Sequence, residues 1–245
     1  MIQGVTFDWW HTIAETPWPD FDARMRRLRI DGIREAFLAD GVPFEDGVLE
    51  RAYDRHTEFL EARWATTADL DAEEQTSAFL GFAGADPKDP RLRGSVQEAF
   101  GQAIRAKLPV LYPHIAQTLA RLKREGYAVG LVSNTGRTWG RFLRPIQDEM
   151  GIGKHFDVRV FSDEVRARKP DRRMFEAALG PLRLPPGAVV HVGDDVAADV
   201  EGARAAGMRT VWFNTGLWPG ARAYHADAEI RDHEELFDVL GRWRA

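Results

Sequence analysis

The sequence predicts an α/β protein, a Rossmann-like doubly wound parallel sheet that carries an inserted α-helical bundle. Three observations support this fold class. A short apolar run opens the chain at residues 2–7. From about residue 20 to residue 107, apolar residues recur at helical spacing and no strand pattern is seen. After residue 108, apolar runs alternate with amphipathic segments, which is typical of a parallel sheet with helices on both faces.

These patterns predict two units. Residues 1–15 and 108–245 are expected to form an α/β core, and residues 16–107 a helical cap. The cap is predicted to contain four helices, at residues 21–38, 45–64, 71–82 and 92–107. Short links between such helices favour a small bundle. The third helix is expected to begin at Asp71, because Glu74 three residues later completes a capping-box pattern.

The core elements follow from the same periodicities. Strands are predicted at residues 2–7, 127–132, 158–161, 188–192 and 210–213. Helices are predicted at residues 113–123, 137–150, 172–179, 196–206 and 233–242, and Pro145 is expected to kink or shorten the second of these. The segment 214–226 is predicted to be a loop, and no role is assigned to it.

Composition excludes several classes of function. A formal net charge of −5 argues against a nucleic-acid partner. The absence of cysteine excludes disulfides, thiolate metal sites and a cysteine nucleophile. The sequence shows no signal-peptide pattern and no apolar run near the ~20 residues of a membrane helix. We therefore expect a cytoplasmic protein without a membrane partner, either a monomer or a homodimer, that acts on a small molecule.

Asp8 is the most informative residue. It follows the first predicted strand, and ligands of open α/β sheets bind just beyond the carboxyl ends of strands. Thr12, Ser133, Asn134, Lys169, Asp194 and Asp199 also fall at strand ends or just beyond them. A sheet of this type gathers such ends into one crevice, so these side chains are predicted to meet.

Four segments carry a resemblance to a known family. They are Asp8-Trp9-Trp10-His11-Thr12, Leu131-Val132-Ser133-Asn134, Arg168-Lys169-Pro170-Asp171, and His191-Val192-Gly193-Asp194-Asp195 with Asp199 beyond. In this order they resemble the haloacid dehalogenase-like (HAD) hydrolases, subfamily I, with a C1-type helical cap after the first motif. The resemblance spans essentially the whole chain.

The resemblance implies that Asp8 is a nucleophile that forms an aspartyl-enzyme intermediate. It implies that Lys169 lies beside Asp8, and that Ser133 is a further catalytic residue. It further implies that the Ser133 hydroxyl and main-chain N–H groups near Ser133 and Asn134 hold a phosphoryl oxygen or a substrate carboxylate, and that Thr12 helps through its hydroxyl or main chain. Attack on an anionic phosphate needs positive charge, since two unit charges about 4 Å apart repel by roughly 4 kcal/mol at an effective dielectric near 20.

A metal ion is the second source of that charge. Hard cations such as Mg²⁺ prefer oxygen ligands. In HAD phosphatases the ion is bound by the nucleophilic Asp, an Asp of the fourth motif and the main-chain carbonyl two residues after the nucleophile. Here these correspond to Asp8, Asp194 and Trp10. Asp195 is expected to bind directly or through water, and Asp199 to lie behind the ligands or to stabilise a helix N-terminus.

One position departs from the phosphatase pattern. Trp10 stands where those enzymes carry a second Asp, the group that protonates the leaving alkoxide. General acid–base help is worth about 10² to 10⁴ in rate, and an indole cannot supply it. His11 is the adjacent candidate substitute. Trp10 is also expected to shape the substrate pocket or to fill the volume of the lost carboxylate.

Three functions remain open on this evidence. The favoured one is a Mg²⁺-dependent phosphatase with weakened acid catalysis. The second is a metal-independent 2-haloacid dehalogenase, because halide leaves without a proton and those enzymes carry an aromatic residue where Trp10 stands. Against it, Asp194 and Val196 replace neutral Ser and Asn, and Phe175 replaces a Tyr. The third is a non-catalytic protein that binds phosphate or has a regulatory role.

Overall fold

A computed structural model describes residues 1–244 of the chain. Its strands, in chain order, are β1 (Gly4–Phe7), β2 (Ala14–Glu15), β3 (Val110–Leu111), β4 (Ala128–Ser133), β5 (Val158–Phe161), β6 (Val189–Gly193), β7 (Arg209–Phe213) and β8 (Ala228–Ile230). Six of them form one sheet in the order β5-β4-β1-β6-β7-β8, and every neighbouring pair runs parallel. This confirms the predicted α/β fold with a Rossmann-like core.

The central strands form because their sequences are almost continuously apolar. All residues of β1 and β6 are buried, as expected for parallel strands that are covered on both faces. β1 lies between β4 and β6, with Phe7 in register with Leu131 on one side and Val192 on the other. The residue after Phe7 therefore emerges between the ends of two other strands.

The α-helices, in chain order, are α1 (Phe21–Ala39), α2 (Val48–Trp64), α3 (Ala72–Phe82), α4 (Pro90–Gln102), α5 (Ile115–Arg124), α6 (Gly140–Glu149), α7 (Ser162–Val165), α8 (Arg172–Leu182), α9 (Gly202–Ala205) and α10 (Leu236–Arg242). Helices α1 to α4 form what we call the helical insert. Asp71 and Glu74 make the reciprocal capping-box hydrogen bonds at the start of α3, at 2.8 and 3.2 Å.

The helical insert has a hydrophobic cluster of its own, which also contacts the core. Ile33, Phe37, Phe79 and Phe100 are fully buried within it. Trp139 and Phe142, at the start of α6, belong to the same cluster. The burial of these large aromatic side chains holds the helical insert against the α/β core. Each Å² of apolar surface removed from water contributes roughly 25 cal/mol of free energy.

Several elements differ from the predictions. β2 and β3 form a two-stranded antiparallel ribbon where the chain leaves for the insert and returns, and β8 adds a sixth strand to the sheet. The helix predicted at 196–206 is a π-helical turn over Val196–Glu201 followed by α9. Pro145 lies inside α6, which begins at Gly140 rather than at residue 137. Within residues 1–244, no helix is long and apolar enough to cross a membrane.

Candidate active site

Three neighbouring strands bring the predicted site residues to one edge of the sheet. Asp8 follows β1, Ser133 ends β4 and Asp194 follows β6. Because these strands are parallel and adjacent, their carboxyl ends meet. The main-chain N–H of Asp8 donates to Val192 O at 3.0 Å and so fixes this residue against β6. Ser133 is fully buried, and its hydroxyl donates to Asn134 O at 3.3 Å.

Lys169 lies at the centre of the site. Its Nζ donates to Asp8 Oδ1 at 2.5 Å and to Val132 O at 2.8 Å, and it lies 2.7 Å from Asp199 Oδ1. These three oxygens match the three N–H donors of an ammonium group. Burial alone would lower the pKa of Lys169, but the carboxylates of Asp199 and Asp8 outweigh it and raise that pKa. Lys169 therefore stays protonated at neutral pH.

Asn134 fixes the backbone of that lysine. Its Oδ1 accepts from the Lys169 N–H at 2.8 Å, and its Nδ2 donates to Lys169 O at 3.2 Å. Both polar ends of the Asn134 side-chain amide are thus engaged by Lys169, and the predicted role of Asn134 in binding substrate stays a prediction. Asn134 is a positioning residue for Lys169, which approaches Asp8 from a loop that is remote in sequence.

Three carboxylates surround this single ammonium group. Oxygens of Asp8, Asp194 and Asp199 all lie within 4.8 Å of one another, and all three residues are buried. Burial, followed by the influence of Asp199 and Asp194, raises the pKa of Asp8 to about 8 against the opposing effect of Lys169. Burial and Asp199 also raise the pKa of Asp194 to about 6. Beside one ammonium group, the three carboxylates leave an excess of negative charge, which together with burial raises these two pKa values.

A hard divalent cation suits this donor set. Carboxylate oxygens are the ligands that Mg²⁺ prefers, and a buried excess of negative charge is stabilised by a cation. Asp8 and Asp194 would supply side-chain ligands, and the main chain of Trp10 follows Asp8 by two residues. Asp194 is further oriented by Trp218, whose Nε1 donates to Oδ2 at 3.1 Å, and by the Thr12 hydroxyl at 3.5 Å from Oδ1.

Asp195 does not join the cluster, and its predicted role as a metal ligand, direct or through water, stays a prediction. The side chain is exposed, and its Oδ1 accepts from the N–H groups of Ala197 and Ala198 at 2.8 and 2.9 Å. It thus caps the π-helical turn. Asp199, one turn later, reaches the cluster instead. Gly193 permits this, because a Cβ at that position would clash with the Asp199 carboxyl group.

A buried pair behind Asp199 was missed by the sequence reasoning. His191 Nε2 lies 3.2 Å from Asp199 Oδ1, and His191 Nδ1 lies 2.9 Å from the hydroxyl of Thr6. Burial lowers the pKa of His191, so the ring is neutral at pH 7. Although burial would raise the pKa of Asp199, Lys169 and His191 lower it to about 2. The available signal was two polar residues, Thr6 and His191, at one register position of otherwise apolar strands.

The aromatic residues after Asp8 lie toward the helical insert. The ring of Trp10 is 6.1 Å from that of Trp9 and 5.8 Å from that of Phe21 on α1, centroid to centroid. His11 has a positive φ of 57°, and its Nδ1 pairs with Glu15 Oε1 at 3.0 Å. Trp10, which stands where phosphatases of this type carry a second Asp, presents its indole to a cleft between the core and the helical insert.

The loop before Lys169 is also held by the insert. Arg168 Nη1 donates to Asp69 Oδ2 at 2.9 Å, and the Arg168 guanidinium lies over the Trp64 ring at 4.4 Å. The Arg168 N–H donates to Thr67 O at 2.8 Å. The segment between α2 and α3 therefore contacts the loop that carries the central lysine.

Comparison with known proteins identifies the family. A family model described as haloacid dehalogenase-like hydrolase matches residues 2–207. The chain belongs to the haloacid dehalogenase-like hydrolases. The chain is 34% identical over 193 residues to a phosphoserine phosphatase of Thermus thermophilus, covering 73% of each chain. It is 29% identical over 244 residues to an N-acetylmuramic acid 6-phosphate phosphatase of Pseudomonas aeruginosa, covering 98% of this chain and 96% of that one.

Solved structures of HAD-like proteins share the fold. A 2-haloacid dehalogenase from Pseudomonas syringae pv. Tomato superposes with a TM-score of 0.71 at 23% identity, covering 99% of this chain and all of that one. A HAD phosphatase from Thermococcus onnurineus gives a TM-score of 0.61 at 26% identity, covering 98% of each. Membership of the HAD-like hydrolases makes this protein a hydrolase, as the sequence predicted.

Proposed function

We propose that this hydrolase is a Mg²⁺-dependent phosphatase of a small phosphorylated metabolite. The observation that carries the proposal is the charge of the buried site. Asp8, Asp194 and Asp199 face one ammonium group, and this excess of negative charge calls for a cation. The relatives that match across most of the chain are named phosphatases, which supports the same choice.

The chemistry assigned to the chain begins at Asp8. One carboxylate oxygen attacks phosphorus, the ester oxygen leaves with the bonding pair, and an aspartyl phosphate remains. Water then attacks that phosphorus and releases inorganic phosphate and the Asp8 carboxylate. Lys169 holds Asp8 in place and offsets the charge that gathers on the phosphoryl oxygens. Asp8 and Asp194 would hold Mg²⁺, which when bound would supply further positive charge and favour the ionised form of Asp8.

The same geometry limits the leaving group. The indole of Trp10 cannot protonate a departing alkoxide, and His11 already pairs with Glu15. We propose that esters with good leaving groups, such as acyl or aryl phosphates, react faster than simple alkyl phosphates. The helical insert, within the proposed cap of residues 16–107, would close over the site and exclude water. Its contacts with Arg168 couple this closure to the loop that carries Lys169.

A dehalogenase is the second candidate, because Trp10 supplies no acid and halide departure needs none. Two features oppose it. Phe175, where a Tyr hydroxyl is expected, packs edge-on against His191 at 5.2 Å and offers no polar atom. Asp194 adds a carboxylate close to Asp8, which would repel a substrate carboxylate in the absence of a cation.

The test uses three assays on the same preparation. We expect release of phosphate from p-nitrophenyl phosphate and acetyl phosphate with Mg²⁺, and loss of that release with EDTA. Halide release from chloroacetate in EDTA, without phosphatase activity, would instead identify a dehalogenase. If neither reaction occurs but phosphate raises the melting temperature, the protein is a non-catalytic binder.

A further inference from the structure

A cleft of about 720 Å³ lies between the helical insert and the core, next to the catalytic crevice. Trp10, two residues after Asp8, lines one wall. Gly136, Arg137 and Thr138, which follow Asn134, line another, and the remaining walls come from α1 and α2. Because Trp10 follows Asp8 by two residues, a substrate whose phosphate lies at Asp8 would extend past Trp10 into this cleft.

Two buried arginines reach into the cleft from opposite units. Arg29 on α1 donates to Phe100 O, to the Tyr53 hydroxyl and to the Thr138 hydroxyl, at 3.2, 3.4 and 3.0 Å. Arg137 in the core donates to His56 Nδ1 at 3.3 Å and to the Thr57 hydroxyl at 2.7 Å. Its guanidinium also lies over the Tyr53 ring at 4.4 Å. These contacts use only part of the five N–H donors of each guanidinium.

Every hydrogen-bond partner of these two arginines is neutral. Both side chains are only 9% exposed, yet no carboxylate among residues 1–244 forms an ion pair with either. The carboxylates that line the cleft lie on its exposed rim, at Asp22, Asp54, Glu58 and Glu61. By contrast Arg26, one turn before Arg29, is neutralised by Asp54 at 2.8 Å.

Two unpaired charges of the same sign are costly in a buried place. Removing a guanidinium from water costs several kcal/mol unless an anion compensates it. Burial lowers the pKa of Arg137 to about 10, and Arg29 acts in the same direction, against the opposing effects of Tyr53 and of Glu61 on the rim. Arg137 stays charged at neutral pH, and the carboxylates of the cleft lining lie on its exposed rim rather than within ion-pair distance of either guanidinium. Planar guanidinium groups bind carboxylate and phosphate in a bidentate fashion.

We propose that Arg29 and Arg137 form a subsite for a second anionic group of the substrate. The preferred substrates are then phosphate monoesters that carry a carboxylate or a second phosphate away from the scissile phosphate. This inference rests on the proposed phosphatase function and narrows its substrate class. The arginines act on binding and orientation, and they take no part in the chemical step at Asp8.

Matched substrate pairs test the subsite. The pair 3-phosphoglycerate and glycerol 3-phosphate differs by a carboxylate, and fructose 1,6-bisphosphate and fructose 6-phosphate differ by a phosphate. We expect at least one pair to show a preference in kcat/KM of about tenfold or more for the additional anion, since hydrogen bonds to charged groups are worth about 1.5–3 kcal/mol. Whichever pair shows the preference distinguishes carboxylate from phosphate as the preferred group.

Variants then assign that preference to the arginines. In Arg137→Gln and Arg29→Gln the ratio within the pair is expected to fall to about twofold or less, mainly through KM. Arg26→Gln is the matched control, since it removes an arginine of the same cleft that is already paired, and the ratio is expected to persist. Equal losses in all three variants would indicate diffuse attraction and overturn the assignment. If the glutamine variants fail to fold, Arg137→Lys keeps the charge without the bidentate geometry and is expected to lower the ratio.

The outcomes separate this inference from the function on which it rests. If p-nitrophenyl phosphate is hydrolysed but neither pair shows a preference, the subsite is wrong and the phosphatase stands. If no ester is hydrolysed, calorimetry on Asp8→Asn with Mg²⁺ decides the subsite alone. Tighter binding of 3-phosphoglycerate than of glycerol 3-phosphate, lost when Arg137→Gln is added, supports it, and equal binding overturns it.

Discussion

The candidate active-site crevice around Asp8 and the adjacent cleft both contain buried charged groups, which are mainly acidic in the crevice and basic in the cleft. In the crevice, three carboxylates surround Lys169. In the cleft, Arg29 and Arg137 are surrounded by hydroxyls, a carbonyl and an imidazole. Uncompensated charge is unstable in the interior of a protein, so we propose that a bound partner completes each region. The proposed partner is a cation in the crevice and an anionic group in the cleft. One substrate would then bind in both places, with its phosphate at the cation and its second anionic group at the two arginines.

The largest effect is expected from removal of the proposed nucleophile, Asp8. Asp8→Asn keeps the size and most hydrogen bonds of the side chain but cannot form the aspartyl phosphate. We expect kcat to fall by more than about 10⁴-fold, with the circular dichroism spectrum unchanged. Near-native hydrolysis by this variant would show that the crevice serves another purpose.

A carboxylate at position 10 should change the catalytic activity of the acidic crevice. Trp10→Asp restores the acid–base group that phosphatases of this family carry. We expect hydrolysis of glycerol 3-phosphate, which has a poor leaving group, to rise by about 10²-fold, and that of p-nitrophenyl phosphate to change little. Trp10→Asn is the control, since it removes the same indole without adding an acid. An equal gain in the two variants would attribute the change to space rather than to proton transfer.

The buried arginines of the cleft lead to a prediction about stability, namely that the free energy of unfolding decreases in acid. His56 accepts a hydrogen bond from Arg137, and burial, reinforced by Arg137, lowers its pKa from 6.5 to about 3. The unfolded chain takes up this proton below pH 6.5 and the native state does not. The contribution of His56 to stability is therefore full above pH 6.5 and is lost as pH falls toward 3.

From pH 7 to pH 5 this loss amounts to about 2 kcal/mol. Urea titrations of wild type and His56→Gln at both pH values measure it, and the variant is expected to show the smaller loss. His233, buried with its pKa lowered to about 4, remains in both proteins as an internal reference. An identical pH dependence in the two proteins would mean that His56 is already charged beside Arg137.

The smallest effect distinguishes two adjacent aspartates. Asp195→Asn should cost at most about 1 kcal/mol of stability, as for a helix cap, and leave the stabilisation by Mg²⁺ intact. Asp194→Asn should remove most of that stabilisation, which amounts to about 2.7 kcal/mol at 100 times Kd. Melting temperatures with and without Mg²⁺ measure both. Loss of the Mg²⁺ effect in Asp195→Asn would restore this residue as a ligand.

Much of the fold could be predicted from the sequence because the core strands are nearly continuous apolar runs of four to six residues. The strand β8 and the ribbon β2–β3 were missed, since two or three residues are too few to show a period. The π-helical turn was predicted as α-helix because both patterns bury similar positions.

The site was predictable where chemistry follows a strand end, and not where it depends on packing. Asp8, Lys169 and Asp194 meet as their places in the topology require. That Asp199 rather than Asp195 reaches the carboxylate cluster depends on the close approach of the Asp199 carboxyl group to Gly193, which has no Cβ. Trp218 lies in a loop without a pattern, yet its indole donates to Asp194. The unpaired state of Arg29 and Arg137 depends on which carboxylates are absent nearby, and no local spacing encodes that.

Anomalous diffraction from crystals soaked in Mn²⁺ tests the central claim most directly, because Mn²⁺ takes oxygen ligands as Mg²⁺ does and scatters anomalously. The account predicts a peak bonded to the carboxylates of Asp8 and Asp194, with Lys169 still in contact with Asp8. Absence of that peak at saturating Mn²⁺, together with release of halide from chloroacetate, would contradict it.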